Sequence, residues 1–188
     1  MMAGILFGGE KSVAAPVPLP EVARNRIAVV YFSWSSDGNT RFAAETIARR
    51  ADARLFEIKA EKPYSTDFQA CCDEAKSECY GKQLRPIRPV EGFDVTQYDA
   101  VFIGTPNWWG TMAPPVRTFV AQNAAALKDK IVCLFQTNGG GGMQRCEIEF
   151  AELLPQSNVL KAQEFAGSSI RHNVTALENF VTDRVQLK

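Results

Sequence analysis

Short apolar runs alternate along the chain with longer segments in which apolar residues recur at helical spacing. Residues 27–32, 100–104 and 131–135 are almost continuously apolar and rich in β-branched and aromatic side chains. Runs of this kind are typical of strands that are buried on both faces of a parallel sheet. Residues 54–58 alternate between polar and apolar and predict an outer strand, and residues 159–162 predict a last strand.

Helical segments separate these five predicted strands. After the first strand, apolar residues recur at helical spacing at Phe42, Ala43, Ile47, Ala48 and Ala51, and Asn39 or Thr40 is the predicted N-cap. Further helices are predicted over residues 67–79, from residue 114, over about 143–154 and over about 174–185. The alternation of strands and helices predicts an α/β fold, in which a doubly wound parallel sheet carries helices on both faces.

Composition narrows the class of protein. The chain has 188 residues, and we predict one domain over residues 26–188. Residues 1–25 lack the basic start and long apolar centre of a secretory signal, so we expect a flexible leader or a processed remnant. The 21 Lys and Arg residues balance the 21 Asp and Glu residues, which argues against a nucleic-acid partner, because phosphate contacts require a basic patch. No segment approaches the roughly 20 apolar residues of a membrane-spanning helix.

The cysteines and the histidine indicate no metal site. Five cysteines, an odd number, favour a reducing compartment, and we expect a cytoplasmic location, with export of a leader-bearing precursor left open. Cys72 and Cys79 are predicted to share a buried helix face, and Cys133 to lie in the core. Cys146, early in a helix, is the one thiol whose position could lower its pKa. His172 is the only histidine, which excludes a multi-histidine metal site and a histidine-based triad.

Polar loops follow the three most apolar strands, and the carboxyl ends of parallel strands meet at one edge of the sheet. The first loop combines Ser33, Ser35, Ser36 and Thr40 with Gly38 at the start of a helix. Backbone N–H groups at a helix N-terminus and short hydroxyl side chains can bind phosphate without Lys or Arg. The loop has neither the P-loop ending nor the dinucleotide glycine pattern, so it favours a monophosphate, with an ordinary capped turn as the alternative.

The second and third loops carry aromatic residues and glycine. Trp108 and Trp109 stand beside Gly110, where an indole can either stack on a flat heterocycle or cap the edge of the sheet. Four consecutive glycines, residues 139–142, allow the backbone to approach a ligand closely, although flexibility explains them equally simply. Each signal is weak alone, and their common position after successive strands indicates a ligand site.

These loops resemble those of flavodoxin-like proteins. Residues 30–40, a serine-rich segment ending in Gly38-Asn39-Thr40, are similar to the phosphate loop of that family, and residues 102–112 are similar to its first ring-binding loop. The similarity is greatest to a bacterial flavodoxin branch with paired tryptophans, and it extends from about residue 26 to the C-terminus. It implies a five-stranded parallel sheet of order 2-1-3-4-5 and FMN bound without a covalent bond.

The resemblance also implies a set of FMN contacts, with no catalytic residue and no metal ligand. The phosphate loop would contribute Ser33, Trp34, Ser35, Gly38, Asn39 and Thr40. One side of the isoalloxazine ring would be lined by Pro106, Asn107, Trp108, Trp109, Gly110 and Thr111. The other edge would be approached by Thr137, Asn138, Gly139 and Gly140. Asn107 could in addition form hydrogen bonds near the flavin N5 or O4 atom.

The chain departs from the family pattern in two respects. Ser36 and Asp37 stand as an insertion in the first loop, and Asp37 would repel a phosphate unless it points to solvent or caps the helix. A net charge of zero also lacks the acidity with which typical flavodoxins dock on basic partners.

Low-potential electron transfer is the leading functional expectation. An apolar, tryptophan-lined pocket without a cation at the ring disfavours negative charge on the reduced flavin. The partner would be a redox protein or a small-molecule acceptor, and the chain a monomer or a homodimer. One alternative is an NAD(P)H-dependent quinone or flavin reductase, which needs open space above the ring. Another is a flavodoxin-like binding module that no longer holds flavin.

Overall fold

The computed structural model describes residues 18–34 and 38–188. Its strands are β1 (Glu21–Val22), β2 (Ile27–Tyr31), β3 (Arg54–Glu57), β4 (Ala100–Trp108), β5 (Thr111–Met112), β6 (Ile131–Asn138), β7 (Asn158–Ala166) and β8 (Gln186–Leu187). Its helices are α1 (Asn39–Ala51), α2 (Phe68–Tyr80), α3 (Pro114–Asn123), α4 (Cys146–Leu153) and α5 (Val174–Thr182).

Five parallel strands form the central sheet in the order β3-β2-β4-β6-β7. Counted along the chain among themselves, these strands have the order 2-1-3-4-5, so the predicted topology is confirmed. The chain leaves β2 towards β3 at one edge and returns to β4 on the other side of β2. The loops after β2 and β4 therefore diverge, which opens a crevice at the carboxyl ends of these strands.

Alternate residues of the central strands point to two separate hydrophobic clusters. Val30 of β2 and Ile103 of β4 face α2, α3 and α4, whereas Val29 and Phe102 face α1 and α5. All five residues of β2 are buried, which agrees with its continuously apolar sequence. Helices thus cover both faces of the sheet, as predicted.

The strands next to the crevice are longer than their apolar segments. Residues 100–104 and 131–135 were predicted as strands, but β4 and β6 continue to Trp108 and Asn138. Their backbones still pair at Pro106 and Thr137. The backbone forms the ladder hydrogen bonds, so both strands can continue through residues with polar side chains. The two loops therefore begin beyond the apolar part of the sheet.

Near the termini, the structure adds a small parallel sheet. Glu21–Val22 pairs with Gln186–Leu187, and the side chain of Val22 is buried. This strand belongs to the predicted leader, of which residues 1–17 lie outside the described residues. Residues 18–25 therefore pack against the C-terminal end of the domain. Within the described part of the chain, no helix has the length and apolar character needed to span a bilayer.

Candidate functional site

The loops that follow β2, β4 and β6 border one cavity of about 540 Å³. Of the predicted site residues, its lining includes Ser33, Trp34, Gly38, Asn39, Thr40, Pro106, Asn107, Trp108, Trp109, Thr137, Asn138 and Gly139. Gly110, Thr111 and Gly140 lie outside the lining, and Ser35, Ser36 and Asp37 lie outside the described residues. A cavity of this volume is in the range of about 300–1,000 Å³ that small-molecule sites occupy.

The N-terminus of α1 forms one end of this cavity. Gly38 is the N-cap, in an extended conformation, and no side chain of the described residues caps the helix. The prediction of Asn39 or Thr40 as N-cap was wrong, because both already have helical conformation as the first residues of α1. The first N–H groups of a helix have no intrahelical acceptor, so this end presents donors and partial positive charge to the cavity.

Two threonines link the first and third loops beside this helix end. The Thr40 and Thr137 hydroxyl oxygens are 2.7 Å apart, and both side chains are buried. When two hydroxyls form one hydrogen bond, the accepting hydroxyl keeps its own proton. The pair can therefore donate a hydrogen bond to a further acceptor. No described residue that lines the cavity carries a charge, so an anion here would depend on hydroxyl and N–H donors.

Trp109 and Gly110 form a tight turn between β4 and β5. Trp108 pairs with Thr111 across this antiparallel connection. The two turn residues have φ values of 53° and 83°. A two-residue hairpin turn with positive φ at both positions favours Asn-Gly, and a bulky residue such as tryptophan is uncommon there. Strained backbone of this kind concentrates at ligand sites.

The two tryptophans occupy different environments. Trp108 packs edge-on against Phe32 and Tyr64, with ring centroids 5.5 and 4.9 Å apart, and so anchors the loop in the core. Trp109 is 41% exposed, and its Nε1 donates a hydrogen bond to the Cys72 carbonyl oxygen at 3.1 Å. Trp108 thus caps the edge of the sheet, while the exposed Trp109 indole lines the cavity.

Gly110 and Thr111 support the turn from behind. The Gly110 N–H donates to Asn107 Oδ1 at 2.9 Å. The Thr111 hydroxyl donates to Glu149, whose carboxylate also accepts hydrogen bonds from Arg117 Nε and the Met112 N–H. These polar groups are thus used within the protein, and both residues lie behind the cavity lining.

Two further walls of the cavity were not predicted from the sequence. Phe68, Cys71, Cys72 and Ala75 of α2 line it, as do Gly167 and Ser168 after β7. A Cβ on Gly167 would stand 2.3 Å from the Asn39 side-chain nitrogen, so glycine permits this close approach. Gly167 follows another parallel strand at the same edge, which was a usable signal. The α2 residues had none, since helical periodicity does not say which turn borders a cavity.

The cysteines differ from their predicted roles in two places. Cys71, rather than Cys72, shares the buried face of α2 with Cys79, and Cys72 is half-buried at the cavity. Burial raises the pKa of the Cys146 thiol to about 12, so the expected lowering was wrong. Cys146 is the first residue of α4 and belongs to the apolar cluster that this helix covers, where the thiolate would lose its hydration. Cys133 is fully buried, as predicted.

Comparisons with known proteins agree with this architecture. A family model described as flavodoxin matches residues 26–182. A flavoprotein from Lactobacillus acidophilus NCFM, solved in complex with FMN, is 25% identical, with a TM-score of 0.64 over 80% of this chain and 99% of that chain. A protein from Bacteroides eggerthii DSM 20697, provisionally described as a flavoprotein, is 26% identical, with a TM-score of 0.66 over 81% and 97% of the two chains. This chain belongs to the flavodoxin family.

Proposed function

We propose that this protein binds FMN in the cavity at the carboxyl edge of the sheet and transfers electrons at low potential. Membership of the flavodoxin family and the similarity to the FMN complex from Lactobacillus acidophilus support the cofactor. The observation that carries the proposal is a single cavity with the N-terminus of α1 at one end and Trp109 at the other. These two ends match a phosphate and a flat ring.

The phosphate end is suited to a dianion. The first N–H groups of α1, beginning at Asn39, would bind phosphate oxygens together with the Thr40 and Thr137 hydroxyl pair. Ser33 and Gly38 line the same end, and Ser35 would complete it as the resemblance implies. Gly167 lets the segment after β7 approach the Asn39 side chain closely.

The ring end is suited to a planar heterocycle. Trp109 presents a large aromatic surface, and Pro106 and Trp108 add apolar contacts beside it. Residues 137–139 of the third loop line the same cavity. When bound, FMN supplies the capacity to accept and donate one or two electrons, and the protein supplies orientation and electrostatics.

The charges around the ring end support electron transfer at low potential. The described lining contains no Lys or Arg, so no ion pair would stabilise negative charge on the reduced cofactor. Outside the lining, Lys76 Nζ lies 5.2 Å from the centroid of the Trp109 ring, and Arg117, which donates to Thr111, is paired with Glu149. The Lys76 ammonium therefore contacts the Trp109 indole.

A reductase is the second candidate, and the α2 wall favours it. Phe68 is 68% exposed, and with Cys72 and Ala75 it extends the cavity beyond the three loops. A reductase needs such space for a planar nicotinamide or acceptor next to the flavin. The same cavity therefore supports both candidates, and they differ in whether substrates or only electrons reach the ring.

Titration of the purified protein with FMN tests the cofactor, and Trp109→Asn is the informative variant. Asparagine tolerates positive φ, and this gain offsets the lost indole contacts with Cys72 and Lys76, so the free energy of unfolding should stay within about 1 kcal/mol of the wild type. FMN should bind at least about tenfold more weakly. Ile148→Asn, at an exposed site on α4, is the control and should change neither binding nor the cavity. Absence of FMN binding by the wild type would support the flavin-free binding module.

Anaerobic reductive titration of the FMN-loaded protein separates the two redox candidates. A carrier should take up electrons in two steps at separate potentials and oxidise NADH or NADPH slowly. A single two-electron step, together with rapid NADH or NADPH oxidation, would establish the reductase and reject the carrier.

A further inference from the structure

Two neighbouring loops form the ring end of the cavity, and their separation sets its width. The tryptophan loop, residues 106–111, continues from β4, and the glycine loop, residues 137–142, continues from β6. Backbone pairing between these strands reaches Pro106 and Thr137. Beyond that pair, the backbone ladder no longer joins the two loops, so other contacts must fix the gap between them.

The carbonyl oxygen of Gly142 is the point where the loops are joined. Asn107 Nδ2 of the tryptophan loop donates to it at 2.8 Å, and Gln136 Nε2 at the end of β6 donates to it at 2.9 Å. A carbonyl oxygen has two lone pairs, and both are used here. Gln136 has no exposed surface, so its amide is a buried polar group that depends on these partners.

The oxygen end of each amide is also engaged. Asn107 Oδ1 accepts the Gly110 N–H at 2.9 Å, and Gln136 Oε1 accepts from Asn138 Nδ2 at 3.0 Å. Asn138 Oδ1 in turn accepts the Gly140 N–H at 2.8 Å. Five hydrogen bonds thus form one continuous chain from the tryptophan turn to the glycine loop. Each amide faces a carbonyl at one end and a hydrogen-bond donor at the other, which fixes its orientation.

The glycine loop needs such a chain because its own residues are conformationally free. Gly140 and Gly142 have φ values of 116° and 75°, which residues other than glycine rarely adopt. Glycine loses more backbone entropy on ordering than any other residue. A loop that is ordered before ligand binding does not pay that cost when the ligand arrives.

We infer that Asn107 and Gln136 are positioning residues of the FMN site, which hold the tryptophan and glycine loops at the separation that the flavin ring requires. This inference rests on the proposed function. It assigns the Asn107 amide to the protein interior rather than to the flavin N5 or O4 atom. Both residues act through the Gly142 carbonyl.

The test is a set of variants that remove the donor facing Gly142. Gln136→Met keeps the side-chain length without charge or hydrogen bonds, and FMN should bind about tenfold more weakly. Gln136→Glu places a carboxyl at this buried site, where burial raises its pKa, and above that pKa a carboxylate oxygen replaces the donor, with an equal or larger loss of affinity. Protonation of the new carboxyl at lower pH restores a donor, so affinity relative to the wild type should recover for Gln136→Glu and not for Gln136→Met.

A second pair of variants separates positioning from stability. Asn107→Asp loses the donor to Gly142 and keeps the acceptor for Gly110, at a half-buried site where folding is less at risk. Asn123→Asp is the matched control, because its Nδ2 donates to the Phe119 carbonyl oxygen at 2.8 Å within α3, away from the cavity lining. Hydrogen exchange of the Gly110 and Gly140 amides in the flavin-free protein should accelerate in Gln136→Met and stay unchanged in Asn123→Asp.

The outcomes distinguish this inference from the proposed function. Weaker FMN binding, faster amide exchange in the glycine loop and recovery at low pH are the expected results. If the wild type binds FMN, and Gln136→Met and Asn107→Asp bind it with the same affinity, the positioning role alone is overturned. No binding of FMN by the wild type would overturn the proposed function and this inference with it.

Discussion

The two faces of the sheet are stabilised in different ways. The α1/α5 face, where α1 and α5 pack on β2, β4 and β6, is an apolar cluster in which Phe180 meets the rings of Phe102, Phe135 and Phe165 with centroids 5.7 to 5.9 Å apart. The α2/α3/α4 face is also apolar at its centre. Among the described residues, however, all three buried charged side chains, Arg85, Arg117 and Glu149, lie on that side of the sheet.

The charged groups on the α2/α3/α4 face hold backbone that has no regular structure. Arg85 donates to the carboxylates of Glu74 and Glu78 and to the Lys62 carbonyl, and its guanidinium lies 3.7 Å from the centroid of the Tyr64 ring. It thereby ties the segment before α2 to the segment after it. Apolar contacts cannot satisfy the polar backbone of such segments, whereas a guanidinium with five donors can.

The two faces of the sheet also differ in their contacts with the functional site. On the α2/α3/α4 face, Glu149 and Arg117 contact Thr111 directly behind the tryptophan turn. On the α1/α5 face, Thr40 is the buried side chain of α1 that lines the cavity, whereas the buried apolar side chains from Ala43 to Ala51 belong to the apolar cluster. Stability and site geometry should therefore change together on one face and separately on the other.

The largest effect is expected from Glu149→Leu. The variant leaves the buried guanidinium of Arg117 without its carboxylate, which should lower the free energy of unfolding by about 3–5 kcal/mol. FMN binding should weaken as well, because Thr111 and the Met112 N–H lose their acceptor. Urea unfolding and FMN titration measure the two effects.

Two further variants test this explanation. Arg117→Met combined with Glu149→Leu removes both charges and should be more stable than Glu149→Leu alone, since no buried charge is then left without a partner. Glu152→Leu, at an exposed site of the same helix, should stay within about 0.5 kcal/mol of the wild type. A double variant that is less stable than Glu149→Leu would contradict the role given to the ion pair.

A smaller effect is expected from Ile47→Val on the α1/α5 face. Ile47 is fully buried, and loss of one methylene should cost about 0.5–1.5 kcal/mol. FMN affinity should remain that of the wild type, because the cavity lies at the other end of α1. A loss of FMN affinity comparable to that of Glu149→Leu would show that the two faces do not differ in their coupling to the site.

The sequence predicted the α1/α5 face better than the α2/α3/α4 face, for a physical reason. Continuous apolar runs such as that of β2 and the periodicity around Ile47 directly encode burial, and both elements formed where expected. The partners of Arg85 and Arg117 depend on segments far apart in the chain, such as Lys62 with Arg85 or Glu149 with Arg117. No local pattern encodes such pairs.

The same distinction applies to the site. The position of the three loops followed from the order of apolar strands, and their convergence on one cavity was predictable. The conformation of Trp109, with φ of 53°, was not, because residue propensity disfavours it. Nor was the α2 wall, because the side of α2 that borders the cavity depends on the position of Trp109, 37 residues after Cys72.

Thiol labelling changes the molecule least, because it needs no substitution, and it should measure how readily each of the two faces opens. Burial raises the pKa of Cys71 to about 11 and those of Cys79, Cys146 and Cys133 to about 12, so these thiols remain protonated and protected at pH 8. Cys72 is half-buried at the cavity, and of the five cysteines it should react first.

Mass spectrometry after timed alkylation measures the order of labelling. Cys72 should be labelled in the fast phase, while Cys133, in the central strand β6 and packed on the α1/α5 face, should react only at the rate of global unfolding. Cys79 on α2 should react at an intermediate rate, because opening of that helix breaks the Arg85 contacts without unfolding the sheet. Added FMN should protect Cys72 and leave Cys133 unchanged, and Cys72→Ser should remove the fast phase. Equal labelling rates for Cys79 and Cys133 would mean that the α2/α3/α4 face opens only with the whole domain.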